Sequence, residues 1–216
     1  GGILPAELNG VENIQMTSYA GSSIDLLVAT GVEKVISKNS IAADTFTNLQ
    51  SLAAIEASGS SSDLMVKYAD SLVSGTSNTV TFTLSNGADL GNVVIQGVTA
   101  SNVVETINVV SSGATANAVN SILSNSAAIG TLDISGSADL TLGTGTAFST
   151  GDVLAVNIDA SDMTGDLTLY ADGANTNASI TGGSGSDTIY LDGVDTFFAA
   201  DNGNATSNVV TSIVGG

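Results

Sequence analysis

The sequence predicts an all-β protein, a parallel β-solenoid or β-roll with short strands and one or two short helical insertions. Short runs in which apolar and polar residues alternate recur along the chain, and each is bounded by Gly, Asn, Asp or Ser. Alternation with period two is typical of strands with one buried face, and Thr and Val favour that conformation. The runs lie at residues 13–17, 79–84, 106–110, 131–134, 139–142, 153–158 and 166–170.

A repeat near the start indicates how these strands stack. The segment GVENI at 10–14 returns 21 residues later as GVEKV at 31–35, and looser echoes follow at 52–58 and 104–107. A period near 20 residues with a strand in each unit is typical of a solenoid. We therefore expect Ile14 and Val35 to occupy equivalent core positions on neighbouring parallel turns. An antiparallel sandwich is the competing fold, and the scarcity of Asn-Gly and Asp-Gly hairpin turns counts against it.

Two stretches, 43–54 and 114–127, have the apolar spacing of a helix. The apolar residues concerned are Phe46, Leu49 and Leu52 in the first stretch and Ala118, Val119, Ile122 and Leu123 in the second. We interpret both as packing turns inserted into the solenoid, with partner-binding helices as the alternative. Acidic residues are absent from 106 to 132 and dense afterwards. The predicted organisation is a solenoid with repeats of about 21 residues over 1–113, a helical connector over 114–130 and an acidic β-roll region over 131–216.

Charge restricts the partners of this chain. Its 216 residues include no Cys, His, Trp or Arg, and the formal net charge is −18. The only basic side chains are Lys34, Lys38 and Lys67. Divalent cations are the natural counterions for the acidic remainder. Nothing here could neutralise the phosphates of a nucleic acid, no apolar run is long enough for membrane insertion, and without Cys there is no disulfide scaffold.

Residues 182–190, GGSGSDTIY, match the nonapeptide G-G-x-G-x-D-x-U-x at every fixed position. Gly182, Gly183 and Gly185 suit turns with positive φ whose carbonyls approach an ion. Asp187 supplies a carboxylate, and the apolar Ile189 starts an inward-facing strand. Because the ion in this motif lies between successive turns, one copy provides half a calcium site. A Gly/Ser-rich turn without function is the alternative interpretation.

The other half of the site is expected from acidic residues near the motif. Those in the flanking turns are Asp172, Asp192, Asp195 and Asp201. Asp159 and Asp162, followed by Asp166, have the spacing of an oxygen cage but match no EF-hand loop, and a solvated acidic turn explains them equally well. With the carbonyl of Ser184, these residues form the predicted ligand set. Calcium is the expected cofactor.

On this motif and the approach to it at 157–191, the chain resembles the repeats-in-toxin (RTX) group of secreted proteins. The resemblance is greatest to calcium-dependent surface-layer and adhesin proteins of Gram-negative bacteria. It implies an RTX-like β-roll over 131–216 and a secreted, calcium-binding structural segment that self-assembles at the bacterial cell surface. The expected partner is the chain itself, as a homo-oligomer or homopolymer. The alternative is an adhesin module that binds a cell-surface glycan.

The sequence contains no plausible catalytic set, and we expect a protein that is not an enzyme. Without His or Cys, the common nucleophilic triads and zinc catalysis are excluded. A pair of Asp residues could run a glycosidase mechanism, but such sites generally hold sugars against aromatic faces. The one local aromatic grouping is Tyr170, Tyr190, Phe197 and Phe198. We predict that these are core and end-cap residues.

Overall fold

The protein is a two-sheet parallel β-solenoid in a computed structural model that describes residues 7–99, 104–124, 129–144, 155–171, 179–191 and 212–214. Each turn contributes one strand to each sheet. The nine-stranded sheet contains β1 (Asn13–Met16), β3 (Lys34–Lys38), β5 (Ala54–Ser58), β7 (Thr79–Ser85), β9 (Thr106–Ser112), β11 (Ile129–Gly136), β13 (Ala155–Met163), β15 (Ser179–Thr181) and β17 (Ser212–Val214). The eight-stranded sheet contains β2 (Ser22–Asp25), β4 (Asp44–Leu49), β6 (Leu64–Tyr68), β8 (Asp89–Gly97), β10 (Asn117–Leu123), β12 (Leu140–Leu142), β14 (Leu167–Ala171) and β16 (Thr188–Leu191).

The register confirms the predicted stacking of the early turns. Ile14 lies opposite Val35, and Val35 lies opposite Ile55. The next residue in this column is Phe82, 27 positions after Ile55, so the turns lengthen along the chain. The echo at 104–107 falls outside the column, because Val109 is the residue opposite Phe82. Since all strand pairs in the described ranges are parallel, the antiparallel sandwich is excluded.

The core lies between the two sheets and is built from inward-facing aliphatic residues of both. Its largest fully buried side chains include Tyr68, Phe46 and Phe82. Burying a side chain of this kind contributes about 1.5–3 kcal/mol. The Tyr68 hydroxyl donates a 2.6 Å hydrogen bond to the carbonyl of Ala53, which satisfies its one polar group. Burial raises the pKa of Tyr68, so the hydroxyl remains a neutral donor.

The first predicted helix, 43–54, is wrong: the stretch contains strand β4 and the start of β5. Phe46 and Leu49 are both buried although they lie three residues apart. Asn48 between them has φ 60°, and the register of β4 against β6 shifts between Phe46 and Leu49. This bulge brings Leu49 back to the core face and so mimics helical spacing. The described helical structure is a 3-10 turn at Asp70–Leu72.

The second predicted helix and the helical connector at 114–130 are also wrong, because strand β10 occupies 117–123. Val119 and Ile122 are both buried at a spacing of three residues. Their partners on β8, Leu90 and Val93, have the same spacing and are also buried. Two adjacent strands thus share one irregularity, which keeps their core faces matched. Strand β9 pairs with β11 across the predicted connector, and the nine-stranded sheet is continuous there.

A column of left-handed residues turns the chain from the nine-stranded to the eight-stranded sheet, at what we call the corner. Asn39, Gly59, Asn86 and Gly113 directly follow β3, β5, β7 and β9 and have φ values of 51°, 61°, 56° and 100°. Asn and Gly are the residues that adopt this conformation at least cost. The amide of Asn39 donates to the carbonyl of Ser58, so successive corner turns are hydrogen-bonded to one another.

A buried carboxylate fixes the corner in the first turns. Asp44 has no exposed surface. Its carboxylate accepts hydrogen bonds from the hydroxyls of Ser18, Ser37 at 2.6 Å and Ser40 at 2.7 Å. Ser60 accepts from the Ser40 amide at 3.0 Å and lies 2.9 Å from the Ser37 hydroxyl. One acidic side chain therefore links hydroxyl groups from three successive turns, since buried charges persist only where hydrogen bonds compensate for lost solvation.

We expect Asp44→Ala to lower the free energy of unfolding by about 3 kcal/mol or more, because it leaves three buried hydroxyls without their acceptor. Urea unfolding followed by circular dichroism measures this. The matched control is Asp89→Ala, which removes an exposed carboxylate from β8 and should change stability by less than about 0.5 kcal/mol. Equal effects of the two substitutions would contradict the structural role of Asp44.

Candidate metal site

The nonapeptide forms the corner between β15 and β16. Residues 182–187 make the turn, and β16 begins at Thr188. Ile189 on this strand packs against the core, which places the apolar position of the motif on the inner face as expected. The turn lies on the preceding corner turn: the Ser184 amide donates to the Met163 carbonyl at 2.9 Å. The motif is therefore integrated into the stack of turns.

The motif glycines are needed for close packing, and the expected positive φ is wrong. Gly182, Gly183 and Gly185 do not adopt the left-handed conformation. A methyl group on Gly183 would lie 2.4 Å from the carbonyl oxygen of Met163, and one on Gly185 would lie 2.4 Å from that of Gly165. Any side chain at either position would push adjacent turns apart. The glycine pattern thus reflects contact between backbones.

Asp187 uses both carboxylate oxygens to organise this corner. Oδ1 accepts from the Leu167 amide at 3.0 Å, and Oδ2 accepts from the Gly183 amide at 2.7 Å. Because Thr188 lies opposite Thr168, Asp187 occupies the position of Leu167 one turn earlier. Leu140 precedes Leu167 in the same core column. The half-buried carboxylate of Asp187 thus takes the place of an apolar core side chain.

Two more carboxylates line this corner on the preceding turns. Asp139 accepts from the Asp166 amide at 3.0 Å, and Asp166 accepts from the Ser186 amide at 2.8 Å. Both are exposed, and each holds the backbone of the next turn. We call Asp139, Asp166 and Asp187 the acidic corner. Carboxylates within the reach of successive main-chain turns are oxygen donors of the class that calcium prefers.

The other predicted ligands fall into two groups. Asp172, Asp192, Asp195 and Asp201 lie outside the described residues. Asp159 and Asp162 lie on β13, on the outer surface of the nine-stranded sheet, opposite Asp133 and Ser135 of β11. The turn that packs directly against the motif is the one at 163–166, which brings Asp166 to it.

The cluster on β13 and β11 has electrostatic effects of its own. Partial desolvation and the charges of Asp159 and Asp162 raise the pKa of Asp133. Hydrogen bonds from the hydroxyl and the amide of Ser161 lower the pKa of Asp159, and the amide contact is 3.0 Å long. All three carboxylates are exposed, so these effects are screened by solvent and salt.

The described residues fit calcium in part. The acidic corner supplies carboxylate and carbonyl oxygens, the donor set expected for calcium. Within the described ranges, no group of three acidic residues is arranged closely enough to hold a metal ion. A complete site therefore needs donors beyond the described residues, and the nearest in sequence are Asp172 and Asp192.

Sequence reasoning did not select Asp139 and Asp166 as ligands, although a recurring pattern points to them. Both precede Leu-Thr-Leu, as ADLTL at 138–142 and GDLTL at 165–169. The same Asp-Leu pair opens β8 at Asp89. An Asp directly before a short alternating run thus indicates the entry to the eight-stranded sheet, where main-chain amides need acceptors.

The predicted burial of the aromatic grouping is wrong for Tyr190. Its side chain is 46% exposed on β16 and stacks on Tyr170 of β14, which is half-buried on the same outer surface. Phe197 and Phe198 lie outside the described residues.

Comparison of the chain with protein family models, curated proteins and solved structures finds no match. In the part of the chain that the structure describes, no helix is long and apolar enough to span a membrane.

We expect Asp133→Asn to stabilise the protein at pH 7, because it removes a carboxylate whose ionised form is disfavoured in the folded state. A raised pKa means that the penalty is relieved as the pH falls through the titration of Asp133, so the gain should disappear in acid. Asp159→Asn should do the opposite, since a lowered pKa gives stability that is present at neutral pH and lost in acid. Thermal unfolding of both variants at pH 7 and pH 3 tests the two signs. The same sign for both at pH 7 would contradict the assignment.

Proposed function

We propose that this chain is a calcium-binding structural module of a secreted bacterial surface protein, and that it assembles with copies of itself. The observation that carries the proposal is the acidic corner, in which Asp139, Asp166 and Asp187 occupy successive stacked turns around the nonapeptide. The resemblance to RTX surface-layer proteins supports the same function.

Electrostatics explains why such a corner would take up a cation. No Lys or Arg follows Lys67, while acidic residues continue to Asp201. The one ion pair within the described ranges, Lys34 with Glu56 at 3.1 Å, lies in the early turns. Stacked turns hold like charges at the short repeat of the strands, about 4.8 Å, so repulsion grows with each acidic turn. A divalent cation removes this repulsion and stabilises the later turns.

The residues that would hold calcium are the carbonyls of Gly182, Ser184 and Gly185 and the carboxylate of Asp187, with a neighbouring acidic turn. A bound ion would neutralise the acidic corner and join adjacent turns. Extracellular calcium modules work at dissociation constants of about 10⁻⁴ to 10⁻³ M. Such a site would be empty in a calcium-poor cytoplasm and filled outside the cell, which agrees with function at the cell surface.

Self-assembly is supported by the shape of the sheets. The two sheets present long flat outer surfaces, and the first strands of each, β1 and β2, pair on one edge within the described residues. Flat surfaces and open strand edges favour repeated contacts between identical chains. A chain without His, Cys or Arg also lacks the usual catalytic groups. A structural function therefore suits both the surface and the composition.

We expect Asp187→Asn to lower the calcium stoichiometry by at least one ion, because it removes the central charge while keeping an oxygen acceptor for the corner. Isothermal titration calorimetry measures the stoichiometry, and circular dichroism verifies the fold of the variant. Asp89→Asn, which removes an equal charge from the outer surface of β8, is the control and should bind as the parent does. Unchanged stoichiometry in Asp187→Asn would show that the nonapeptide is not the site.

We also expect calcium to promote ordered assembly and a chelator to reverse it, since the charges that bind the ion also repel neighbouring copies. Electron microscopy and light scattering with calcium, and again after chelation, test this. Magnesium at equal ionic strength controls for simple screening. A calcium-loaded protein that remains monomeric at high concentration would contradict the assembly function and favour the adhesin alternative.

A further inference from the structure

The outer surface of the eight-stranded sheet carries a stacked pair of tyrosines. Tyr170 on β14 lies opposite Tyr190 on β16. Their ring centroids are 4.6 Å apart, and the ring planes differ by 6°. This centroid distance equals the usual spacing of adjacent strands, about 4.7–4.9 Å. The sheet itself therefore holds the rings parallel.

The local sequence explains why both rings face outward. Leu169 is fully buried and Ile189 packs against the core, so the next residue on each strand faces the outer surface. Gly143 occupies the turn below Tyr170, where its amide donates to Val119 at 2.9 Å. A methyl group on Gly143 would lie 2.7 Å from Cβ of Tyr170. Glycine at this position thus permits the tyrosine to sit close to the turn below.

The groups beside the rings are hydroxyls. Thr168 and Thr188 lie opposite each other two residues before the tyrosines, on the same outer surface and about 6.6 Å away along the strands. The nearest carboxylate along β14 is Asp166, four residues and about 13 Å from Tyr170. The surroundings of the rings are therefore polar and uncharged, although the chain as a whole is strongly acidic.

We propose that Tyr170, Tyr190, Thr168 and Thr188 form a binding platform for a neutral sugar ring of a polysaccharide. The exposed ring of Tyr190 offers a flat apolar face for the C–H groups of a pyranose, as aromatic side chains with a polar tip do at binding surfaces. The two threonine hydroxyls lie where they can exchange hydrogen bonds with the sugar hydroxyls.

Charge selects this ligand over other candidates. Acidic polysaccharides would meet a surface without a basic side chain after Lys67. A cationic peptide would be drawn to the acidic corner, away from the rings. A neutral glycan matches both the rings and the hydroxyls. This inference does not depend on the proposed calcium site.

The test is calorimetric titration with two neutral probes, the β-linked hexasaccharides of glucose and of N-acetylglucosamine. Tyrosine fluorescence provides a second readout in a chain without Trp. We expect the parent to bind one of the probes, Tyr190→Ala to bind about tenfold more weakly, and Tyr190→Phe to bind within about threefold of the parent because the ring remains. Tyr19→Ala is the matched control, since Tyr19 is 74% exposed and lies near the other end of the solenoid.

Absence of binding to both probes, or equal binding by the parent and Tyr190→Ala, would overturn the proposal. So would self-association that Tyr190→Ala abolishes without sugar, because the surface would then be an interface between copies of the chain. Binding of polygalacturonate in preference to the neutral probes would also overturn it. Calcium stoichiometry should be unchanged in Tyr190→Ala, which separates failure here from failure of the proposed calcium site.

Discussion

The hydrogen bonding of each turn onto the next is the constraint on which the rest of the structure depends. Parallel register places every residue over its equivalent one turn earlier, so size and polarity must agree along a column. Ile14, Val35 and Ile55 satisfy this in the core. Asn and Gly in left-handed conformation satisfy it at the corner. The same rule stacks the tyrosines and aligns the acidic corner, because a side chain is repeated at the strand spacing wherever its residue type recurs.

Local patterns were enough to predict the solenoid and the equivalence of Ile14 and Val35, since alternation and a 21-residue echo are properties of neighbouring residues. The helices were mispredicted for a reason that no local pattern reveals. At Asn48 a single residue with φ 60° shifts the phase of the strand, and Phe46 and Leu49 then have helical spacing within a sheet. On β10 the apolar spacing agrees with an identical irregularity on β8, 29 residues earlier. Only the paired strand explains it.

The nonapeptide could be located from sequence, but the residues beside it could not. Turn length varies widely: Thr168 lies 20 residues before its partner Thr188, whereas Ile180 lies 33 residues before Ile213. Which acidic residue stacks on the motif depends on that length. Asp159 and Asp162 are near the motif in sequence but lie on the outer surface of β13, while Asp166 lies on the adjacent corner. A ligand set based on sequence proximity therefore selects some residues from the wrong surface.

The two inward-facing carboxylates show how different surroundings suit an acid to different tasks. Asp44 is fully buried and receives three serine hydroxyls, so its lone pairs are largely used and no space remains for an ion. Asp187 also stands in a core column, but it is half-buried and receives two main-chain amides. A carboxylate has about four acceptor sites, so Asp187 retains acceptor capacity beside a turn whose carbonyls are close. A carboxylate in a core column is costly unless its charge is compensated. Asp44 is compensated by its own chain, whereas Asp187 is compensated only in part, and the remaining capacity is what a cation would fill.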